Sequence, residues 1–321
     1  SPIGLGCWQF SAGGRGPIAS YWGDIAGATV DAIVAASLEG GINWFDTAEA
    51  YGLGASERAL AHALTRAGKR DGDVVIATKW LPLLRSAASI EKTIDKRKAA
   101  LAPFRIDLHQ VHQPWALASI DAQMDAMANL VAGHDIKAVG VSNFNERQMR
   151  AASAALKKRG LSLASNQMPY SLLDRRIETS GVLGAARELG VSIIAYSPLA
   201  QGILTGKFHD DPRLLEKRTL ARRVRLRRKL AATRALVDEL KRIAASLGAT
   251  PAQVSLAWLT TFHGEAVVAI PGATSTSHVT DNVNAMSLQL PARDLARIDE
   301  LSREFAATRA ARGKQRRRAA A

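Results

Sequence analysis

The chain has 321 residues, 47% of them hydrophobic and 22% charged, which suits one large globular domain or two medium ones and excludes a disordered chain. Its single cysteine, Cys7, excludes an internal disulfide framework and a cysteine-rich zinc site. No apolar run approaches the roughly 18 residues of a membrane-spanning helix, yet a net charge of +14 raises nucleic acid or an anionic membrane as a partner.

The elements alternate along the chain. Strand-like apolar runs are expected at 2–8 (PIGLGCW), 41–46 (GINWFD), 73–79 (DVVIATK) and 106–112 (IDLHQVH), then at 137–142, 162–167, 191–196 and 265–270. Helix candidates fall between and after them at 28–39, 56–67, 87–101, 119–132, 145–158, 178–189, 232–247 and 251–261. Eight such units argue for a parallel sheet covered by helices, either doubly wound or closed. A doubly wound dinucleotide domain needs a G-x-G-x-x-G turn after its first strand, and here Gly4-Leu5-Gly6 is followed by no third glycine. The expectation is therefore an α/β (β/α)8 TIM barrel, a single domain over 1–306.

The charge has its own geography. Residues 213–229 hold nine basic residues and one acid, Glu216, while 307–321 hold six basic residues and no acid. Those two stretches account for the whole of the +14, so the body of the chain is neutral. A solvated loop and a disordered basic C-terminal tail are expected there. The tail lacks aromatics to stack on bases, which argues against nucleic acid as a partner.

In such a barrel the active site forms at the C-terminal ends of the strands. The second run ends in Asp46, followed by Tyr51; the third ends in Lys79 and the fourth in His112. A phenol is a weak acid at neutral pH; a neighbouring ammonium should lower its pKa, with an aspartate holding the lysine charged. A neutral histidine can orient the reacting oxygen. This set would protonate a developing alkoxide, and a cofactor must then supply the hydride. His109 and His112 are three apart on a strand, face opposite sides and cannot share a metal ion; no metal is expected.

These residues resemble the aldo-keto reductase superfamily, in its bacterial and plant-chloroplast-like branches. The resemblance rests on GLGCWQF, FDTAEAYG, ATKW, IDLHQVHQP, GVSNF, NQMPYSLLDR, AYSPLAQGILTGK and IPGA in family order, from Gly4 to about Phe305. It implies a catalytic tetrad of Asp46, Tyr51, Lys79 and His112, with Tyr51 as the acid in an NADPH-dependent reduction of an aldehyde or ketone. It implies carboxamide contacts from Ser142, Asn143 and Gln167, and Tyr196 stacked on the nicotinamide. Cys7, Trp8 and Asp46 are expected beside the cofactor. The pyrophosphate loop is expected from Ser197, Pro198, Leu199, Gln201, Gly202, Leu204, Gly206 and Lys207. Ile270, Gly272, Thr274, His278, Asp281 and Asn282 are expected around the adenosine.

The family often places Lys or Arg at the positions of Gly272, Thr274 or His278 to hold the 2′-phosphate of NADP, and this chain has neither there. NAD therefore stays open beside NADP, with Arg222 and Arg223 as candidates to supply the missing charge. Trp22, Trp80 and Trp115 follow strand ends and are expected to wall a pocket for a small carbonyl or sugar substrate. An NAD-linked sugar or alcohol dehydrogenase, or a cofactor-binding regulatory partner like the potassium-channel β subunits, are the alternatives the resemblance carries. The cytoplasm is the expected compartment, with organellar targeting upstream of Ser1 left open; oligomeric state is not legible.

Overall fold

The computed structural model describes residues 1–11, 25–216 and 220–319, the side chains of 221, 222, 225 and those beyond 307 excepted. Its strands are β1 (Leu5–Gly6), β2 (Trp44–Asp46), β3 (Val75–Trp80), β4 (Ile106–Val111), β5 (Ile136–Ser142), β6 (Leu163–Pro169), β7 (Ser192–Tyr196) and β8 (Val267–Ala269). They pair in chain order, all parallel. Parallel bridges from Ile3 to Ala269 and from Gly6 to Gly272 join first to last, with Gly4 N donating to Ala269 O at 2.8 Å. The sheet thus closes into the expected (β/α)8 barrel, and each expected run contains one of its strands.

The helices are α1 (Gly27–Glu39), α2 (Ala55–Arg66), α3 (Ala88–Lys92), α4 (Ile94–Leu101), α5 (Ile120–Ala132), α6 (Glu146–Lys157) and α7 (Arg176–Thr179). They continue as α8 (Val182–Leu189), α9 (Lys207–Asp210), α10 (Leu220–Ser246), α11 (Pro251–Thr261), α12 (Thr276–Ala285) and α13 (Ala292–Ala319). Capping boxes start α6 at Asn145–Gln148 and α11 at Thr250–Gln253, the latter with Pro251 in the first turn. The segment 178–189 is interrupted at Gly181, whose φ of 79° takes the chain through the left-handed region.

Two expectations about the basic segments need correction. The stretch 213–229 is largely helical, because α10 reaches back to Leu220, well before the expected start at 232. The backbone of 307–319 is helical as well, as the continuation of α13. Both stretches are dominated by Arg, Lys, Ala and Leu, all strong helix formers, and a helix already running is extended at little cost.

The core lies between the barrel wall and the helices, where Ile76, Ile106, Val139, Val141 and Ile193 are all 3% exposed or less. Behind β6, Arg175 ties the barrel to α13: its Nε donates to Glu178 Oε1 at 2.8 Å and its Nη1 to Asp299 Oδ1 at 2.5 Å. Tyr170 Oη donates to the same Glu178 at 2.7 Å, and those partners hold that carboxyl down to about 2 despite its burial. The barrel interior differs from the usual filling of branched apolar residues at its upper end. There Asp46, Lys79, Gln110 and Gln167 are buried together, each 3% exposed or less.

Candidate active site

Residues alternate in and out along a strand, so one residue of each strand end reaches the barrel mouth. From β2 comes Asp46 and from β3 comes Lys79, whose Nζ lies 2.5 Å from Asp46 Oδ1 and 2.8 Å from Thr47 O. Asp46 Oδ2 accepts from Gln167 Nε2 at 2.8 Å and from Gln110 Nε2 at 3.2 Å. The carboxylate is thus held by one cation and two amides, as a buried charge requires. Burial works against the Lys79 ammonium, but Asp46 and then Tyr51 more than offset it, and its pKa stands above the ordinary value.

Tyr51, on the loop between β2 and α2, closes this group at the top. Its ring stacks on Trp8 at 5.8 Å, meets His112 edge-on at 5.8 Å and has Lys79 Nζ 5.1 Å from its centroid. Here the electrostatics depart from expectation. Burial raises the phenol above its ordinary 10.0, and the pull of Lys79 only partly offsets it. The sequence led us to expect a net lowering; how deeply the ring is buried depends on the whole fold. The phenol accordingly holds its proton at neutral pH. His112 is neutral there too, since burial and then the Lys79 charge bring it down to about 3.

The residues expected around the nicotinamide lie at the ends of β5, β6 and β7 and bond to one another. Ser142 Oγ donates to Gln167 O at 3.0 Å, Asn143 Nδ2 to Ser142 Oγ at 3.0 Å, and Tyr196 Oη to Asn143 Oδ1 at 3.0 Å. Asn143 takes a φ of 63°, a strained value of the kind that clusters at functional sites. Cys7 also faces this space, but burial and the Asp46 charge raise its thiol well above the ordinary range, so it is no nucleophile.

A cavity of about 420 Å³ runs from Tyr51 and His112 past Ser142, Asn143, Gln167 and Tyr196 to Ile270, Gly272, Thr274, His278, Asp281 and Asn282. Cys7, Trp8, Ser197, Pro198, Leu199, Gln201, Gly202 and Lys207 line it as well. A dinucleotide fits this lining on two observations. Asn282 is 1% exposed and its Nδ2 has no partner among the described residues, an unspent donor at the expected adenosine end. Ser197, Ala200, Gln201, Gly202 and Gly206 all have positive φ, the kind of backbone that forms anion-binding concavities.

Several expected residues stand elsewhere. Leu204 is buried in the core, and Gly206 (φ 81°) faces Lys241, so neither lines the cavity. Asp281 lines it, but its Oδ1 accepts from Thr250 Oγ1 and Gln253 Nε2, both at 2.9 Å, and so also fastens the start of α11. Trp80 is fully buried and off the cavity; as the neighbour of inward Lys79 it points outward, donating Nε1 to Ser89 Oγ at 3.1 Å. Trp115 is half exposed on the loop after β4 and also lies off the cavity. Trp22 and the side chain of Arg222 lie outside the described residues. Arg223 does not line the cavity, where Lys207 is the sole Lys or Arg among the described residues. His109 faces outward, as the strand alternation requires, and burial takes its pKa well down. No group of side chains suited to a metal ion occurs among the described residues.

Gln110 was missed, although the signal was present: it stands two residues before His112 on one strand and must share its face. Gly140 makes room for it, since a Cβ there would come within 2.9 Å of Gln110 Cγ.

A closed barrel carrying a buried Asp–Lys pair beneath a protonated tyrosine, beside a cavity of dinucleotide shape, defines a class of barrel oxidoreductases. The chain belongs to the aldo/keto reductase family, whose family model matches residues 2–303, and is an NAD(P)-dependent oxidoreductase. It is 38% identical over 310 residues to an uncharacterized oxidoreductase of Mycobacterium tuberculosis, covering 95% of this chain and 90% of that one. The chloroplastic pyridoxal reductase of Arabidopsis thaliana is 31% identical over 320 residues, covering 95% and 84%. An aldo/keto reductase of Klebsiella pneumoniae, solved in complex with NADP and acetate, superposes with a TM-score of 0.71 at 25% identity, covering 94% and 91%.

Proposed function

We propose that this protein reduces an aldehyde or ketone with NADPH, Tyr51 donating the proton. The observation that carries this reading is the buried Asp46–Lys79 pair at 2.5 Å, set 5.1 Å beneath the Tyr51 ring at the end of the cavity. The reduced nicotinamide, when bound, supplies a hydride. Ser142, Asn143 and Gln167 would hold its carboxamide, Tyr196 would stack on its ring, and Asn282 would meet its adenine. Tyr51 stores a proton at Oη because burial keeps the phenol neutral, and Lys79 stabilises the phenolate left behind. Neutral His112 directs a carbonyl oxygen toward that proton rather than competing to donate its own. Replacing Tyr51→Phe should abolish turnover and leave NADPH binding in place; retained turnover would overturn the reading.

A second reading, oxidation of an alcohol or sugar with NAD, is favoured by one feature. Thr274 and His278 bond to each other at 3.2 Å where a 2′-phosphate would lie, and no Lys or Arg stands at 272, 274 or 278. Dissociation constants for NADPH and NADH, with rates in both directions, separate the two.

A further inference from the structure

The loop that carries Tyr51 has one anchor of its own. Among the described residues, every hydrogen bond joining Ala48–Gly54 to a neighbouring strand or to the loop after β3 is made by Glu49. Its backbone N donates to Lys79 O at 3.3 Å, and its Oε1 accepts from Leu81 N at 2.5 Å. Glu49 therefore grips the end of β3 on both sides of Trp80, one residue beyond the lysine that lies beneath Tyr51. Tyr51 itself is held only within its loop and by α2, through N to Ala48 O at 3.0 Å and O from Ser56 N at 3.1 Å. Just after it, Gly52, Leu53 and Gly54 take φ values of 69°, 54° and 85°. A leucine in that region is strained and holds only where its surroundings impose it.

Two arginines fix the carboxylate of Glu49. Arg85 Nη1 reaches its Oε1 at 2.6 Å, and Arg97 Nη1 bonds its Oε2. Arg97 is 1% exposed, and both guanidiniums share Thr93 Oγ1, at 2.5 Å for Arg97 and 2.6 Å for Arg85. The two cations come from α4 and from the loop after β3, so the clamp joins three consecutive units of the barrel. It lies on the outer side of the wall, where it cannot touch the reacting atoms.

We infer that Glu49 is a positioning residue: bound to Leu81 N and to Arg85 and Arg97, it sets the Tyr51 loop against the Lys79 strand and so fixes the phenol over the ammonium. The inference rests on Tyr51 being the proton donor. Displacing a reacting group by about 1 Å can cost roughly a hundredfold in rate.

The test measures kcat per NADPH-binding site, counted by fluorescence titration, together with the dissociation constant for NADPH. Glu49→Ala should lower kcat per site by at least roughly tenfold and leave the NADPH constant within about twofold. Glu49→Gln should lose less, because its amide oxygen still accepts from Leu81 N. Should the alanine variant fail to fold, Glu49→Gln and Arg85→Gln are read the same way, each expected to lower kcat per site. An unchanged kcat per site, or a loss matched by an equal loss of NADPH affinity, would overturn the inference. A dead Tyr51→Phe beside unaffected Glu49 variants would sink only the clamp, whereas an active Tyr51→Phe would sink the role of Tyr51 itself.

Discussion

Replacing Lys79→Met keeps the length of the side chain and removes its charge. At 2.5 Å the attraction between Lys79 and Asp46 is gross about 7 kcal/mol at an effective dielectric constant of about 20. Little of that appears as net stability, because both groups gave up water; what counts is the carboxylate left behind. Removing one partner of a buried pair costs about 3–5 kcal/mol, and losing the donor to Thr47 O adds about 1 kcal/mol. Gln110 and Gln167 still hold Asp46 Oδ2, which pulls the expected loss to about 4 kcal/mol. With Asp46→Asn added, no stranded charge remains, so the double variant should recover about 2 kcal/mol or more relative to Lys79→Met. Urea denaturation at pH 7, followed by tryptophan fluorescence, measures all four proteins of the cycle. A loss below about 1 kcal/mol in Lys79→Met, or simple additivity in the double variant, would refute this account of the buried pair.

Glu57, 1% exposed, is pushed up to about 7 by burial against a hydrogen bond from Thr78, so its contribution is fully present below 4.5 and is lost as the pH rises through 7. Glu57→Gln should thus stabilise the protein by up to about 3 kcal/mol at pH 8 and hardly at pH 4.5; an equal gain at both would refute titration as the cause. His112 and Glu178 have the opposite pH dependence: held down to about 3 and about 2, they support the fold above 6.5 and 4.5 respectively and cease to as the pH falls toward those values. The urea midpoint should fall on acidification across that window, less steeply below pH 4.5 in Glu178→Gln, and a flat profile would contradict the assignment. His278→Arg should tighten NADPH about tenfold relative to NADH if that side chain meets the 2′-phosphate, as paired Kd measurements would show.

Much of the site was legible because its signals are local. Apolar runs at strand spacing mark the eight strands, and the polar residue closing a run marks what reaches the mouth. Asp46, Lys79 and His112 were found this way, and the same alternation, followed one step further, gives Gln110 inside and Trp80 outside. Reading Trp80 as a pocket wall came from counting proximity to a strand end without its direction. The basic block at 213–229 was read by charge alone, while its helix-forming residues pointed to the helix observed from Leu220 onward.

The barrel began as a chain with an excess of positive charge, neutral apart from two segments that turn out to be helical. Its sequence by itself determined the alternation of elements and the chemical types at the strand ends, since a period of two residues and a run's polar terminus depend on neighbours in the chain. Only the tertiary structure decided that Asp46 is shared by Lys79, Gln110 and Gln167, that burial outweighs Lys79 at Tyr51, and that Glu49 reaches Leu81. Those outcomes depend on which strands stand side by side once the sheet closes, and on how much water that closure excludes.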